Sequence, residues 1–254
     1  MDKFGLIGYP IKKSLSPMLF KEAYHGRWQY DLIEGEDFEA SWQAFLDSYK
    51  GINITAPFKE LAYARADILC SECKVIGATN LVVKTPEGLV AHNSDYSGVK
   101  RCIEDEGLAG KGTALVVGCG GAGKAAAVAA LDLGLDLIVI NRTPEKAVEF
   151  ARHLEGFYPG RVQARPFEEM NDVASGCAVT IYTLPLAIEG TESLRCPVVM
   201  EANYKNPTFN AEKLAQEGCR YVPGKKWHLM QAVLGYEYFT GEVPDIEAME
   251  KLYR

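Results

Sequence analysis

The chain has 254 residues, 48% hydrophobic and 24% charged, a balance that supports one large core or two modest ones and excludes disordered and fibrous classes. A formal net charge of −7 argues against a nucleic-acid partner, because such binders carry a basic face that neutralises phosphates, so a small-molecule ligand is expected. Seven scattered cysteines and a start without a basic segment leading into an apolar one point to a reducing cytoplasm, and the uncharged run 173–188, broken by Pro185, is shorter than the roughly 20 apolar residues that cross a bilayer.

Short β-branched runs alternate with helical stretches through the first hundred residues. Strands are expected at Gly5–Gly8, Tyr30–Ile33 and Gly51–Ile54, with helices at Ser16–Gly26 and Glu36–Tyr49. That order predicts βαβ units in a mostly parallel sheet. Ser16 followed by Pro17 reads as a helix opening, with the serine as N-cap.

A second series starts at Thr113–Val117, turns through glycines, runs as an alanine-rich helix to Leu133 and returns as Leu137–Ile140. Further strands at Ala178–Tyr182 and Val198–Met200 would complete a doubly wound domain of Rossmann type. Helices are expected at Trp227–Phe239 and Ile246–Tyr253. The predicted organisation is α/β throughout, with an N-terminal α/β substrate-binding domain from residues 1–100 plus 232–254. A Rossmann-type dinucleotide domain is expected over 101–231, with substrate in a cleft between the two.

The turn Gly118-Cys119-Gly120-Gly121-Ala122-Gly123 follows a strand and opens a helix, which is the context the G-x-G-x-x-G fingerprint requires. Its glycines permit a tight turn, close approach of backbone to a pyrophosphate and close helix–strand packing, with phosphate at the helix N-terminus beside Lys124. At the end of the next strand, where an acidic residue would bind the ribose hydroxyls of NAD, stand Asn141, Arg142 and Thr143, with Lys146 one turn on. Arg142 and Lys146 can pair with a 2′-phosphate and Thr143 can hydrogen-bond it, so the expected cofactor is NADP. The alternative is that Thr143 caps the following helix and Arg142 is a solvated charge.

The N-terminal half carries Gly8-Tyr9-Pro10-Ile11-Lys12-Lys13-Ser14-Leu15-Ser16-Pro17, then Asn53-Ile54-Thr55-Ala56-Pro57-Phe58-Lys59, Gly77-Ala78-Thr79-Asn80 and Asn93-Ser94-Asp95. In this order, ahead of the glycine turn, these segments resemble the shikimate dehydrogenase family, from Gly8 to Gly241. The resemblance implies NADP-dependent interconversion of 3-dehydroshikimate and shikimate. Lys59 beside Asp95 would form a charge pair that passes a proton to or from a substrate oxygen. By resemblance Lys59 is the acid/base catalyst and Asp95 orients it and binds a substrate hydroxyl. Ser14 and Ser16 take the substrate carboxylate, while Thr55, Asn80, Tyr204 and Gln231 surround the ring. Read alone, Lys59 is a helix-start lysine, Asp95 an N-cap, Asn80 a turn residue and Gln231 an exposed helix position.

The chain departs from the family pattern at Lys12-Lys13, Leu81, Ser94, Tyr96 and Trp227-His228. These positions change bulk around the ring, so a quinate/shikimate dehydrogenase using NAD, or a ligand sensor without turnover, are the alternatives. Cys70-Ser71-Glu72-Cys73 lacks a second pair and reads as incidental, so no metal is expected. His92 and His228 are expected at solvated positions.

Overall fold

The computed structural model describes residues 2–253. The chain divides into two units, Met1–Ser94 with Gln231–Arg254, and Asp95–Met230. Among the described residues no helix is long and apolar enough to cross a membrane.

The first unit follows the alternation of its sequence. Its elements are β1 (Lys3–Gly8), α1 (Ser16–Ala23), β2 (Gln29–Glu34), α2 (Phe38–Ser48), β3 (Gly51–Ile54), α3 (Lys59–Arg65), β4 (Ile68–Leu69), α4 (Ser71–Ile76), β5 (Leu81–Thr85) and β6 (Gly88–His92). They form a six-stranded sheet in the order β2-β1-β3-β5-β6-β4. The sheet is mostly parallel, as expected: β1, β2, β3, β4 and β6 share one direction, and β5 alone runs antiparallel to its neighbours β3 and β6. β5 reverses into β6 through a tight hairpin, in which the Thr85 hydroxyl donates to the Gly88 carbonyl at 3.0 Å and Gly88 takes a φ of 130°.

Both faces of this sheet are covered, and β1 shows why its residues are almost all apolar. Phe4 packs on Phe20 and Phe239 on one face, while Ile7 joins Phe38, Trp42, Phe45 and Ile54 on the other. The period-2 alternation of a strand sends these neighbours to opposite sides.

The second unit contains α5 (Ser94–Asp105, entered from the first unit), β7 (Thr113–Val117), α6 (Gly121–Asp132), β8 (Asp136–Ile140), α7 (Pro144–Glu155), β9 (Val162–Ala164), α8 (Met170–Ser175), β10 (Val179–Tyr182), β11 (Val198–Glu201), α9 (Ala211–Gln216) and β12 (Arg220–Val222). All six strands are parallel, in the order β12-β11-β10-β7-β8-β9. The chain winds outward from β7 in one direction and from β10 in the other, so the topological switch lies between them. The alanine-rich α6 is buried over Ala125–Leu131. Small side chains let it lie close on the sheet.

The chain returns to the first unit along α10 (Gly224–Thr240) and ends in α11 (Ile246–Glu250). Asp245 caps α11 by accepting the Ala248 amide at 3.0 Å, and the helix expected to reach Tyr253 tightens into a 3-10 turn from Lys251. Ser16 is not the cap of α1. Leu15 holds that position, Ser16 is already helical, and the Ser16 N–H donates to the Ser14 hydroxyl oxygen at 3.2 Å.

Candidate active site

The turn after β7 is shaped by missing side chains. Gly118 has a φ of 108°, and a Cβ there would lie 2.5 Å from the Thr183 hydroxyl oxygen; one on Gly123 would lie 1.9 Å from the Gly118 carbonyl oxygen. The fold itself demands these two glycines. Gly120 is different: its φ of −76° suits any residue, and a Cβ there would meet nothing within 4 Å. Space kept clear against bare backbone is what close approach of a pyrophosphate requires. Gly121 and Ala122 begin α6, whose first amides have no side-chain cap, leaving donors and the positive end of the helix dipole for an anion.

The end of β8 is tied to this turn. The Cys119 amide donates to Asn141 Oδ1 at 3.3 Å, and Asn141 Nδ2 donates to the Thr143 carbonyl at 3.0 Å. A neutral amide thus stands where a carboxylate would repel a 2′-phosphate. Arg142, Thr143 and Lys146 are exposed. Thr143 occupies the N-cap position of α7, yet its hydroxyl makes no capping bond, which removes the bland account of this residue. Burial pushes the Cys119 thiol up to about 11, against the opposing fields of Lys124 and Lys146. Both cations therefore act on the turn. Bare backbone, paired cations and a missing carboxylate fit a dinucleotide carrying an extra phosphate.

In the first unit, the Ser14 hydroxyl donates to Ser16 Oγ at 3.0 Å, and the Ser16 carbonyl accepts from the Tyr236 hydroxyl at 3.0 Å. The two hydroxyls expected to act together are adjacent. Thr55 follows β3 and lies against Gly8, where an added Cβ would meet its methyl at 2.4 Å. Half-buried Lys59 opens α3, and its carbonyl accepts the Thr79 amide at 3.2 Å. That bond brings it beside the loop carrying Asn80.

Asn80 is 5% exposed and more than a turn residue. Its Oδ1 accepts the Ser94 amide at 2.7 Å and its Nδ2 donates to Ser94 Oγ at 3.1 Å, while its carbonyl accepts from Ile54 N and Asn53 Nδ2. Asn53 in turn accepts from the Tyr30 hydroxyl at 2.8 Å. This network locks four chain segments, and each buried polar group in it has a partner. Gln231 is half-buried on α10 rather than exposed.

Asp95 and Tyr204 belong to the second unit. Because α5 begins at Ser94, Asp95 sits inside the first turn and does not cap it. Its carbonyl accepts from Trp227 Nε1 at 3.0 Å. Tyr204 stacks on His228 with ring centroids 3.8 Å apart and planes 13° from parallel. Burial pushes the Tyr204 phenol up, so it stays an O–H donor. Burial also holds the His228 imidazole down to about 4, against the field of Asp95. His228 is therefore a neutral, packed ring and not the solvated histidine expected. Neither is His92 solvated: its ring stacks on Tyr238 at 3.9 Å. The sequence offered only the unusual Trp227-His228 pair as a signal of this cluster, since the contact with Tyr204 is tertiary.

The model of the shikimate dehydrogenase substrate binding domain matches residues 6–82. Shikimate dehydrogenase (NADP(+)) of Archaeoglobus fulgidus is 32% identical over 271 residues, covering 97% of this chain and 96% of that protein. The crystal structure of Mycobacterium tuberculosis shikimate dehydrogenase superposes with a TM-score of 0.86 at 30% identity, over 100% of this chain and 98% of that one. The Thermus thermophilus enzyme in complex with NADP(H) and shikimate gives a TM-score of 0.87 at 26% identity, over 100% and 99%. With the glycine turn, the serine pair and the Asn80 network each formed, and with identity of this order running the length of both chains, the chain belongs to the shikimate dehydrogenase family.

Proposed function

We propose that the chain is an NADP-dependent shikimate dehydrogenase, reducing 3-dehydroshikimate to shikimate and running in reverse. The observation that carries this reading is the full-length relationship to a relative of that name, 32% identical over 97% of the chain. Gly120 adds support, since neither its φ nor its surroundings require a glycine, whereas close approach of a ligand to the backbone does.

NADP, when bound, supplies the hydride acceptor for oxidation and the hydride donor for reduction. The Gly118–Gly123 turn and the first amides of α6 would hold its pyrophosphate, with Arg142, Thr143 and Lys146 on the 2′-phosphate. Oxidation converts the carbinol C–O of shikimate into C=O, so its hydroxyl must also lose a proton. Lys59 Nζ is assigned that proton, passing it to solvent, and in reduction returns one to the carbonyl oxygen as negative charge develops there. Asp95 is assigned a ring hydroxyl and the orientation of Lys59. Ser14 and Ser16 bind the carboxylate through hydroxyl donors, and Thr55, Asn80, Tyr204 and Gln231 bind ring hydroxyls, which need groups able to donate and accept. The first unit thus serves as substrate-binding domain and the second as NADP domain. None of the seven thiols is in a disulfide, which suits a reducing cytoplasm.

The test is NADPH absorbance on mixing the protein with shikimate and NADP, with quinate and NAD as the other arms. Growth with shikimate and NADP is the expected result. Growth only with quinate or NAD would redirect the reading to those substrates, and silence from folded protein that still binds shikimate would make it a sensor.

A further inference from the structure

Cys70 follows β4 and His92 ends β6, and the parallel pairing of these strands sets Leu69 opposite Ala91. The Cys70 amide donates to the Ala91 carbonyl at 3.1 Å. The next residue in each chain segment is therefore a neighbour, and Cys70 Sγ lies 3.1 Å from His92 Nδ1. Glu72, in the first turn of α4, brings Oε1 to 3.9 Å from the same nitrogen. One ligand atom from each of Cys70, Glu72 and His92 falls within 4.8 Å of the others.

The two separations from Nδ1, 3.1 Å to sulfur and 3.9 Å to the carboxylate oxygen, bracket those of a metal polyhedron. A tetrahedral zinc with bonds of about 2.3 Å to sulfur and about 2.0–2.1 Å to nitrogen and oxygen spaces its ligand atoms roughly 3.3–3.6 Å apart. The alternative, a thiol donating to the Nδ1 lone pair, explains Cys70 and His92 but gives Glu72 Oε1, 3.9 Å from that nitrogen, no proton from either. A cation among the three satisfies all of them. The second sphere is also in place: the His92 ring plane is set by stacking on Tyr238 at 3.9 Å, and Glu72 Oε1 accepts the Asn93 amide at 3.4 Å. Such outer contacts orient metal ligands. All three residues are half-buried, so the ligand atoms are held in place yet reachable from solution. Cys73 is fully buried and lies outside the group, so the C-x-x-C spacing is not itself the chelate.

We propose that Cys70, Glu72 and His92 form a three-ligand site for a thiophilic divalent cation of the zinc class, with the fourth position left to solvent. The site lies outside the residues assigned to the oxidoreductase chemistry and does not rest on that assignment. Through the Glu72–Asn93 contact, a bound ion would brace the loop leading to Ser94 and the Asn80 network.

The test uses the full chain, stripped of metal by a chelator and titrated with zinc(II) against a chromogenic competitor, then with cobalt(II) followed by absorbance. One equivalent of zinc and a thiolate-to-cobalt charge-transfer band are expected. Cys70→Ser should abolish the band, His92→Gln and Glu72→Gln should weaken binding at least tenfold, and Cys73→Ser should retain it. Glu72→Gln changes no volume, so its metal-free circular dichroism and melting curve should match the parent and keep the test valid if Cys70→Ser unfolds. Absence of stoichiometric binding in the parent, or equal affinity in Cys70→Ser or Glu72→Gln, overturns the proposal.

Discussion

The glycine turn after β7 and the polar network around Asn80 are built on opposite principles. The turn works by omission: four glycines between Gly118 and Gly123 keep side chains out so that backbone can close on backbone at Gly123 and stay clear at Gly120. The network works by supply, with Tyr30, Asn53, Asn80 and Ser94 each filling another's hydrogen-bonding need across four segments. Adding one methyl group should injure the first region, whereas removing one functional group should injure the second. The residues proposed for the substrate side divide further, between groups proposed to hold the ring and the one proposed to move a proton.

The largest effect is expected at Lys59. Lys59→Ala removes the proposed proton carrier, and kcat for shikimate oxidation should fall by about 10²–10⁴-fold, with NADP affinity and the melting temperature close to the parent values. Steady-state kinetics and NADP titration check this. A loss below threefold would take the proton away from Lys59 and collapse the distinction between holding and reacting groups.

The omission principle is tested by two alanines placed three residues apart. Gly123→Ala puts a methyl group where the Gly118 carbonyl oxygen already lies 1.9 Å away, so α6 must shift. Overpacking of this kind costs about 1–3 kcal/mol, and both the melting temperature and NADP binding should drop. Gly120→Ala meets open space at an ordinary φ. Its melting temperature should be unchanged while NADP affinity falls at least tenfold. If Gly120→Ala binds NADP as tightly as the parent, no pyrophosphate approaches that backbone.

The parts of the molecule read most directly from sequence are those whose physics is local. Thr113–Ile140 announces itself because strand, glycine turn and alanine helix each need particular residues at fixed spacing. The hairpin Leu81–His92 was missed because Leu81, Val82 and Val83 are all buried, so the alternation that marks a half-exposed strand is absent. Ser16 reads as a cap from sequence, but Leu15 takes that position and the Ser14 hydroxyl oxygen accepts the Ser16 amide. His92 and His228 read as solvated from sequence because their partners, Tyr238 and Tyr204, lie far along the chain. Resemblance placed Asn80 at the substrate, but only the folded chain reveals Ser94 as its partner.

His228 adds a test of the substrate-side cluster that spares the turn. Its imidazole is held down to about 4 by burial, below the roughly 6.5 of an unfolded histidine. Between these values the unfolded chain binds a proton that the folded chain does not, so stability is complete above about pH 6.5 and falls as pH drops toward 4. The contribution is at most about 3 kcal/mol. Melting curves from pH 4.5 to 7.5 should show a shallower decline in His228→Gln than in the parent. Burial also lowers His92, but that effect is common to both proteins and cancels in the comparison. Parallel curves would show that His228 is not desolvated.

The smallest expected effect concerns cofactor choice, and it lies at the rim of the omission region. Arg142 is exposed, Thr143 makes no capping bond, and Asn141 is engaged with both the Cys119 amide and the Thr143 carbonyl. The loop is thus shaped by Asn141, leaving Arg142 to act on a ligand. A charge-assisted contact to a phosphate contributes about 1.5–3 kcal/mol where it is well formed, and an exposed arginine sharing the phosphate with Lys146 should fall at the low end. Arg142→Ala should therefore raise KM for NADP roughly tenfold, leave KM for NAD and kcat nearly unchanged, and preserve the fold. Equal losses with both cofactors would assign Arg142 to the adenine face, because that part is common to the two, whereas the 2′-phosphate belongs to NADP alone.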